Sequence, residues 1–420
     1  MKKKNNRVIV FALLVGSSIL TCLISNPVLN FFNAALVFIF IVVTAKLSFF
    51  TEVSFILLFS YLQGVIHKVT GEISGSTLAW AGVKMPFYFD DLTIATFSFL
   101  LTAYWFVNFT EILEREKRIY NSNLKIGKLT GVVFVLLAFI LVLMIFPSMP
   151  SLTFSEGSRA RNESLPYGLV LLSFVLLGIS FDTLKRNKWL GAIYVFVIFW
   201  VFGHGERVEV LGFLSYLALK YIGKMHFSSI KQKTIKNKKK LIYITGFFVA
   251  LLAMWIGIKR GGNTTISFTM LLYNLFVQPT CGDVVYCFNC AADLWHTGGG
   301  LLGYTYIDYL VQLIPGSTSM FSPAVILLDK FNTMGGALFY SESMMNFGIA
   351  GVIIFNIEFF IIMNFLLKKS TTLRSWMWVP IVTEVFRICW YGRSGWILTA
   401  FAEVPLLYMF SKYILNRIKV

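Results

Sequence analysis

Charge is scarce in this chain: Asp, Glu, Lys and Arg make up 14% of its 420 residues, against about a quarter in a soluble domain. That shortage excludes a water-soluble globular protein, and a content of 57% hydrophobic residues excludes a disordered one. Cysteine is sparse too, and five, widely scattered, are too few for a disulfide framework. Acids number 20 against 37 Lys and Arg, a formal net charge of +17. Such an excess would serve nucleic acid only if it lay on one water-facing surface, and its distribution along the chain points elsewhere. No Asp-x-Asp pair is present to hold a divalent ion on a nucleotide sugar; Asp90 and Asp91 are adjacent, so their side chains diverge.

Apolar runs are what the chain has in abundance. A bilayer core of about 30 Å takes roughly 20 mostly apolar residues per helix. Candidate runs centre on residues 8–25, 30–46, 53–67, 92–109, 129–146, 166–182, 189–203, 207–222, 241–258, 346–367, 376–391 and 394–411. With a cytoplasmic N-terminus, alternating connections place 27 of the 37 Lys and Arg inside, so the whole positive excess is cytoplasmic, as the positive-inside rule expects. The expected fold is an all-α polytopic integral membrane protein of about twelve spans, with both termini cytoplasmic and residues 1–420 in a single transmembrane domain. The first run follows a basic N-terminus, but no small-residue cleavage site comes after it. Asn26-Pro27 instead predicts a tight turn, which makes the run a first helix rather than a signal peptide.

Inward connections are short and basic, the longest being 223–240, whose lysines suit contact with anionic lipid. The outward side carries one large loop, 259–345, between the ninth and tenth runs. A connection of that length in a compact protein marks function. Its stretches Ile266–Val277, Leu301–Ile314 and Pro323–Phe331 are apolar or amphipathic and too short to span, which predicts helices lying on the outer interface.

Six of the ten outward basic residues are arginines: Arg159, Arg161, Arg207, Arg260, Arg387 and Arg393. A guanidinium is a planar fork of donors that grips phosphate bidentately, so several around one membrane-level cavity suit a lipid-linked diphosphate. Each can equally snorkel to headgroups or pair with an acid. Arg387 falls inside an apolar run, where a charge costs about 2.5 kcal/mol or more. At helical spacing it shares a face with Glu384 and Tyr391, which leaves a neutralising Glu384–Arg387 pair and a cavity-facing role both open.

Acids and imidazoles on the same side are Glu163, Glu206, Glu209, Asp308, Glu342, His204 and His296. Sugar transfer needs one such group to make an acceptor hydroxyl nucleophilic. The catalytic candidates are Glu342, Glu206 and His296, the last expected on a flexible loop before Gly298-Gly299-Gly300. Cys281, Cys287 and Cys290 with His296 form an incomplete zinc pattern, and an oxidising exterior favours a disulfide between two of the three. Neither a metal nor a cofactor is expected.

The run Gly335-Gly-Ala-Leu-Phe-Tyr-Ser-Glu342-Ser-Met-Met-Asn346-Phe347-Gly348-Ile-Ala-Gly351 enters a helix at the end of the large loop. It resembles the Glu/Asn-Phe-Gly segment of Wzy-type O-antigen and capsular repeat-unit polymerases. Gly303-Tyr304-Thr-Tyr306 with Leu313-Ile-Pro315 is similar to what those proteins carry earlier in the loop, and Gly205-Glu-Arg207 with the late Arg387 and Arg393 fits as well. Architecture is similar along the full chain, while sharp motif similarity is confined to residues 303–351.

The resemblance implies a metal-independent glycosyltransferase in a bacterial inner (cell) membrane. Its donor would be the growing glycan on undecaprenyl diphosphate, its acceptor one lipid-linked repeat unit, and its product O-antigen or capsular polysaccharide on the outer face. Glu342 and Asn346 are motif positions; Arg207, Arg387 and Arg393 would hold the diphosphate, and a chain-length regulator would be a partner besides membrane lipid. An O-antigen ligase and a lipid-linked oligosaccharide flippase remain alternatives.

Overall fold

The computed structural model of the chain describes residues 2–71, 85–121, 126–150, 161–186, 188–226, 232–260, 267–312, 323–333, 335–392 and 397–415. Among the described residues the architecture is all-helical, without a β-strand beyond an isolated parallel bridge between Ala337 and Tyr391. In chain order the helices are α1 (Lys2–Ile24), α2 (Pro27–Ala45), α3 (Phe49–Thr70), α4 (Phe89–Phe109), α5 (Ile112–Asn121), α6 (Lys128–Ile145), α7 (Gly168–Ser180), α8 (Lys188–Gly203), α9 (Arg207–His226), α10 (Gln232–Arg260), α11 (Phe268–Phe276), α12 (Pro279–His296), α13 (Tyr304–Gln312), α14 (Pro323–Phe331), α15 (Ser341–Leu367), α16 (Thr372–Thr383), α17 (Val385–Trp390) and α18 (Val404–Phe410). Among the described residues six segments are long and apolar enough to cross a membrane: Asn6–Ile24, Pro27–Ala45, Phe49–Thr70, Phe89–Phe109, Lys128–Ile145 and Ser341–Leu367. The chain is thus a helical membrane protein. Gly168–Thr183, Trp189–Gly203 and Ile244–Lys259 are apolar but shorter.

The chain divides into two compact units, the first made of Met1–Glu114, Val277–Lys368 and Arg387–Ser394. Local chemistry sets its helix ends. Asn26 caps α2 by accepting from the Leu29 amide at 3.0 Å with Pro27 at the first helical position, and Gly71 closes α3 in the left-handed region. Within the unit α4 packs against α1, α2, α3 and α15, and α12 packs against α3 and α15. Leu23, Phe32 and Val43 stand exposed on α1 and α2, whereas Asn33 turns inward and bonds Ser17 Oγ and Thr21 Oγ1 at 3.1 Å each. Polar pairing inside with apolar side chains outside is the pattern that hydrocarbon demands. The centre is aromatic: Phe99 meets Phe339 at 5.4 Å and Phe360 at 5.2 Å between ring centroids. Such pairs add about 0.5–1.5 kcal/mol beyond area burial.

The second unit comprises Arg115–Phe276, Lys369–Phe386 and Gly395–Val420. Here α6 packs along α7, and α9 against α16. Just past α7, Asp182 accepts from Lys220 Nζ at 3.1 Å and from Lys224, and the Lys220 side chain is 2% exposed. Lys220 also donates to Tyr216 at 3.1 Å, so the buried ammonium is paired and hydrogen-bonded, which is the condition for tolerating it.

Three expectations need correction. Residues 279–296, read as loop, form the helix α12, buried along most of its length. The run over 376–391 is not one helix: Glu384, at φ −103° and ψ 15°, ends α16 before α17 begins, so continuous helical spacing from Glu384 to Arg387 does not hold. All five cysteines are free. Cys281, Cys287 and Cys290 share one buried helix, with Cys281 bonded to Ser60 and Cys287 to Thr333, so none faces an oxidising exterior. The three short helices expected in the loop are present as α11, α13 and α14.

Candidate functional site

Helix α12 starts where the Gln278 side chain caps the Thr280 amide and Pro279 takes the first helical position. Its buried Asn289 reaches across to the chain ahead of α4, donating to the Pro86 carbonyl at 2.9 Å and accepting from the Tyr88 amide at 2.8 Å. That clamp fixes the approach to α4, and with it Tyr88 and Asp91. His296, the last residue of α12, donates from Nε2 to Asp91 Oδ2 at 2.7 Å. Tyr88 stacks flat on the imidazole, 4.7 Å between centroids at 11°, and its hydroxyl donates to Asp293 Oδ1 at 3.0 Å. Asp91 sits in the first turn of α4 and His296 in the last turn of α12, where the helix dipoles favour an anion and a cation respectively. The His296 side chain is 43% exposed, and Nδ1 has no hydrogen-bond partner among the described residues. Desolvation first, then the bond to Asp293 and the nearby Asp91 charge, push the Tyr88 phenol above its ordinary range, so it stays a donor.

Beside this dyad, α15 is interrupted at Gly348, whose backbone takes φ +62° and ψ −157°. A Cβ there would stand 2.5 Å from Trp295 Nε1. Only glycine allows both the conformation and the close approach of the indole. The broken helix holds the chain leaving α12: the Leu301 amide donates to the Met345 carbonyl at 3.0 Å, and the Gly303 amide to Asn346 Oδ1 at 2.8 Å. Thr305 Oγ1 donates to Glu342 Oε1 at 3.0 Å and accepts from Asn346 Nδ2 at 2.7 Å, while Tyr306 and Ser343 hydroxyls lie 3.1 Å apart. Glu342, Asn346, Thr305 and Asp308 are all buried. Helix α13 therefore presents its polar face inward and its apolar residues Tyr304, Ile307 and Leu310 outward.

The remaining expected site residues of the second unit form other contacts. Arg161 lies over the Tyr167 ring, 5.4 Å from its centroid, and Tyr167 donates to Glu206 Oε2 at 3.0 Å. Arg207 donates to the Ala253 carbonyl at 3.0 Å and lies on Gly257, where any side chain would displace it. His204 is buried, its Nδ1 2.8 Å from the Trp200 carbonyl and its Nε2 3.1 Å from that of Ser148. In the first unit Arg387 covers the Tyr391 ring at 4.9 Å. Arg159, Arg393 and the side chain of Arg260 lie outside the described residues.

No family model, characterised protein or solved structure matches this chain. The geometry alone therefore weighs the candidates. It brings Glu342, Asn346 and His296 into one unit, where Glu342 is shielded and His296 meets solvent. Asp91, Tyr88, Asn289, Asp293 and Thr305 are the participants missed from sequence. A signal for α12 was present in Gln278-Pro279, a cap followed by proline at the first helical position. Among the described residues no three His, Cys, Asp or Glu side chains group as metal ligands.

Proposed function

We propose that the chain is a polytopic glycosyltransferase that joins undecaprenyl-diphosphate-linked oligosaccharide repeat units into O-antigen or capsular polysaccharide. In this proposal it crosses a bacterial inner membrane about twelve times, with both termini cytoplasmic and the 259–345 segment outward. One observation carries the reading. The two segments similar to repeat-unit polymerases, 303–306 and 335–351, are separated in sequence yet meet through hydrogen bonds: Thr305 donates to Glu342 and accepts from Asn346, and the Gly303 amide donates to Asn346.

In the transfer an acceptor hydroxyl attacks the anomeric carbon of the donor and its proton passes to a base. The bond from that carbon to the diphosphate breaks, and the electron pair leaves on undecaprenyl diphosphate. Arginines near the leaving group stabilise the charge that develops there. Arg387, which lies over the Tyr391 ring in the same compact unit as His296, is the candidate for that role, whereas the Arg207 guanidinium donates to a backbone carbonyl.

Deletion of the chain in a lipopolysaccharide-producing host, followed by electrophoresis of surface glycolipids, tests the function. Lipid A core bearing one repeat unit is the expected product. Unsubstituted core with polymer accumulating on undecaprenyl diphosphate would make the chain a ligase, and repeat units retained on the cytoplasmic face would make it a flippase.

A further inference from the structure

We propose that Asp91, His296 and Tyr88 form the general-base station that activates the acceptor hydroxyl. His296 Nδ1 is the catalytic atom, Asp91 the positioning residue and Tyr88 the clamp. The proposal rests on the glycosyl-transfer function above and assigns its base.

A base must be reachable, in the right tautomer and held still. His296 meets all three conditions. Its side chain is 43% exposed. The carboxylate of Asp91 can only accept, so the 2.7 Å contact places the imidazole proton on Nε2 and leaves the Nδ1 lone pair facing solvent. Tyr88 covers one ring face at 4.7 Å and is itself tied to Asp293 on α12, which restrains the imidazole beside Asp91.

Glu342 is a poorer base, being buried and already accepting from Thr305. In the reaction the acceptor O–H proton moves to Nδ1 as its oxygen bonds the anomeric carbon and the diphosphate departs with the bonding pair. The resulting imidazolium, stabilised by Asp91, then loses a proton to water.

The test uses the full-length protein in membranes with a lipid-linked repeat unit as substrate. Asp91→Asn replaces the carboxylate by a neutral amide, which no longer stabilises the imidazolium formed when Nδ1 takes the proton. It is expected to lower kcat roughly 10²–10⁴-fold at unchanged KM, the range a positioned base supplies. Asp91→Glu should recover part of that loss, and the neighbouring Asp90→Asn should match wild type.

A second readout needs no activity. In protein labelled with ¹⁵N-histidine, the resonances lost in His296→Gln should be those of a ring protonated at Nε2. A wild-type ring protonated at Nδ1, or an Asp91→Asn variant with wild-type kcat, overturns the station even if deletion abolishes polymer. Retention of polymer after deletion would instead sink the function beneath it.

Discussion

His296 and His204 each sit at the end of a helix, and they could hardly differ more. The first leaves one ring nitrogen open to solvent beside an aspartate; the second is 1% exposed with both nitrogens facing carbonyls of its own chain and Phe146 stacked on it at 4.6 Å. The same contrast runs through the two compact units. In the first, polar groups converge on one another and leave an imidazole nitrogen available. In the second, cations are taken up locally: Arg207 by the Ala253 carbonyl, Lys220 and Lys224 by Asp182. Residue type says what chemistry a side chain can do, and its neighbours decide whether it is free to do it.

The largest effect that would break this contrast is expected at Asp182. Asp182→Ala strands a buried ammonium on Lys220, and removing one partner of such a pair costs about 3–5 kcal/mol. Thermal unfolding in detergent should show the loss, and pairing the change with Lys220→Met should restore most of it. An unchanged melting temperature in the single variant would mean that this charge is not held as described. Next comes Asn346→Leu, which orphans the Gly303 amide at about 1–3 kcal/mol for a buried group left unpaired. Limited proteolysis should then cut near residues 297–303 before any spanning helix yields.

Gly348→Ala puts a side chain at φ +62° against the Trp295 indole, a strain of about 1–3 kcal/mol. A shifted tryptophan emission together with a lower melting temperature is the expected signature, and neither changing would deny the close approach. The smallest stability effect belongs to His296→Gln, within about 0.5 kcal/mol of wild type because the residue is half exposed. A large destabilisation there would make His296 a structural histidine like His204 and erase the contrast.

The six helices of spanning length were legible because apolar runs of that length leave little else for a chain to form, and Asn26-Pro27 marked its turn. Helix α12 was not legible in the same way. Its Cys, Asn and Asp residues interrupt the apolar run, and it is buried against protein rather than lipid, so neither spanning hydropathy nor a clean amphipathic stripe picks it out. Glu342 and Asn346 were visible as a motif. Their task of holding residues 301–306 depends on Thr305 and on the break at Gly348, neither of which has a distinctive local pattern. The Asp91–His296 contact joins residues separated by 205 positions, and the Ala253 carbonyl that accepts from Arg207 has no signature in the sequence.

Helix α13 has an unusual relation to its surroundings. With Thr305 and Asp308 turned in and Leu310 66% exposed, it is inside out for a helix bathed in water, where the hydrophobic effect would roll it over. Acyl chains reverse that preference. The medium is then a structural component in its own right, as much as any neighbouring helix. Stripping lipid during purification should slacken α13 first, and with it the buried Thr305 contacts that tie the 301–306 segment to α15.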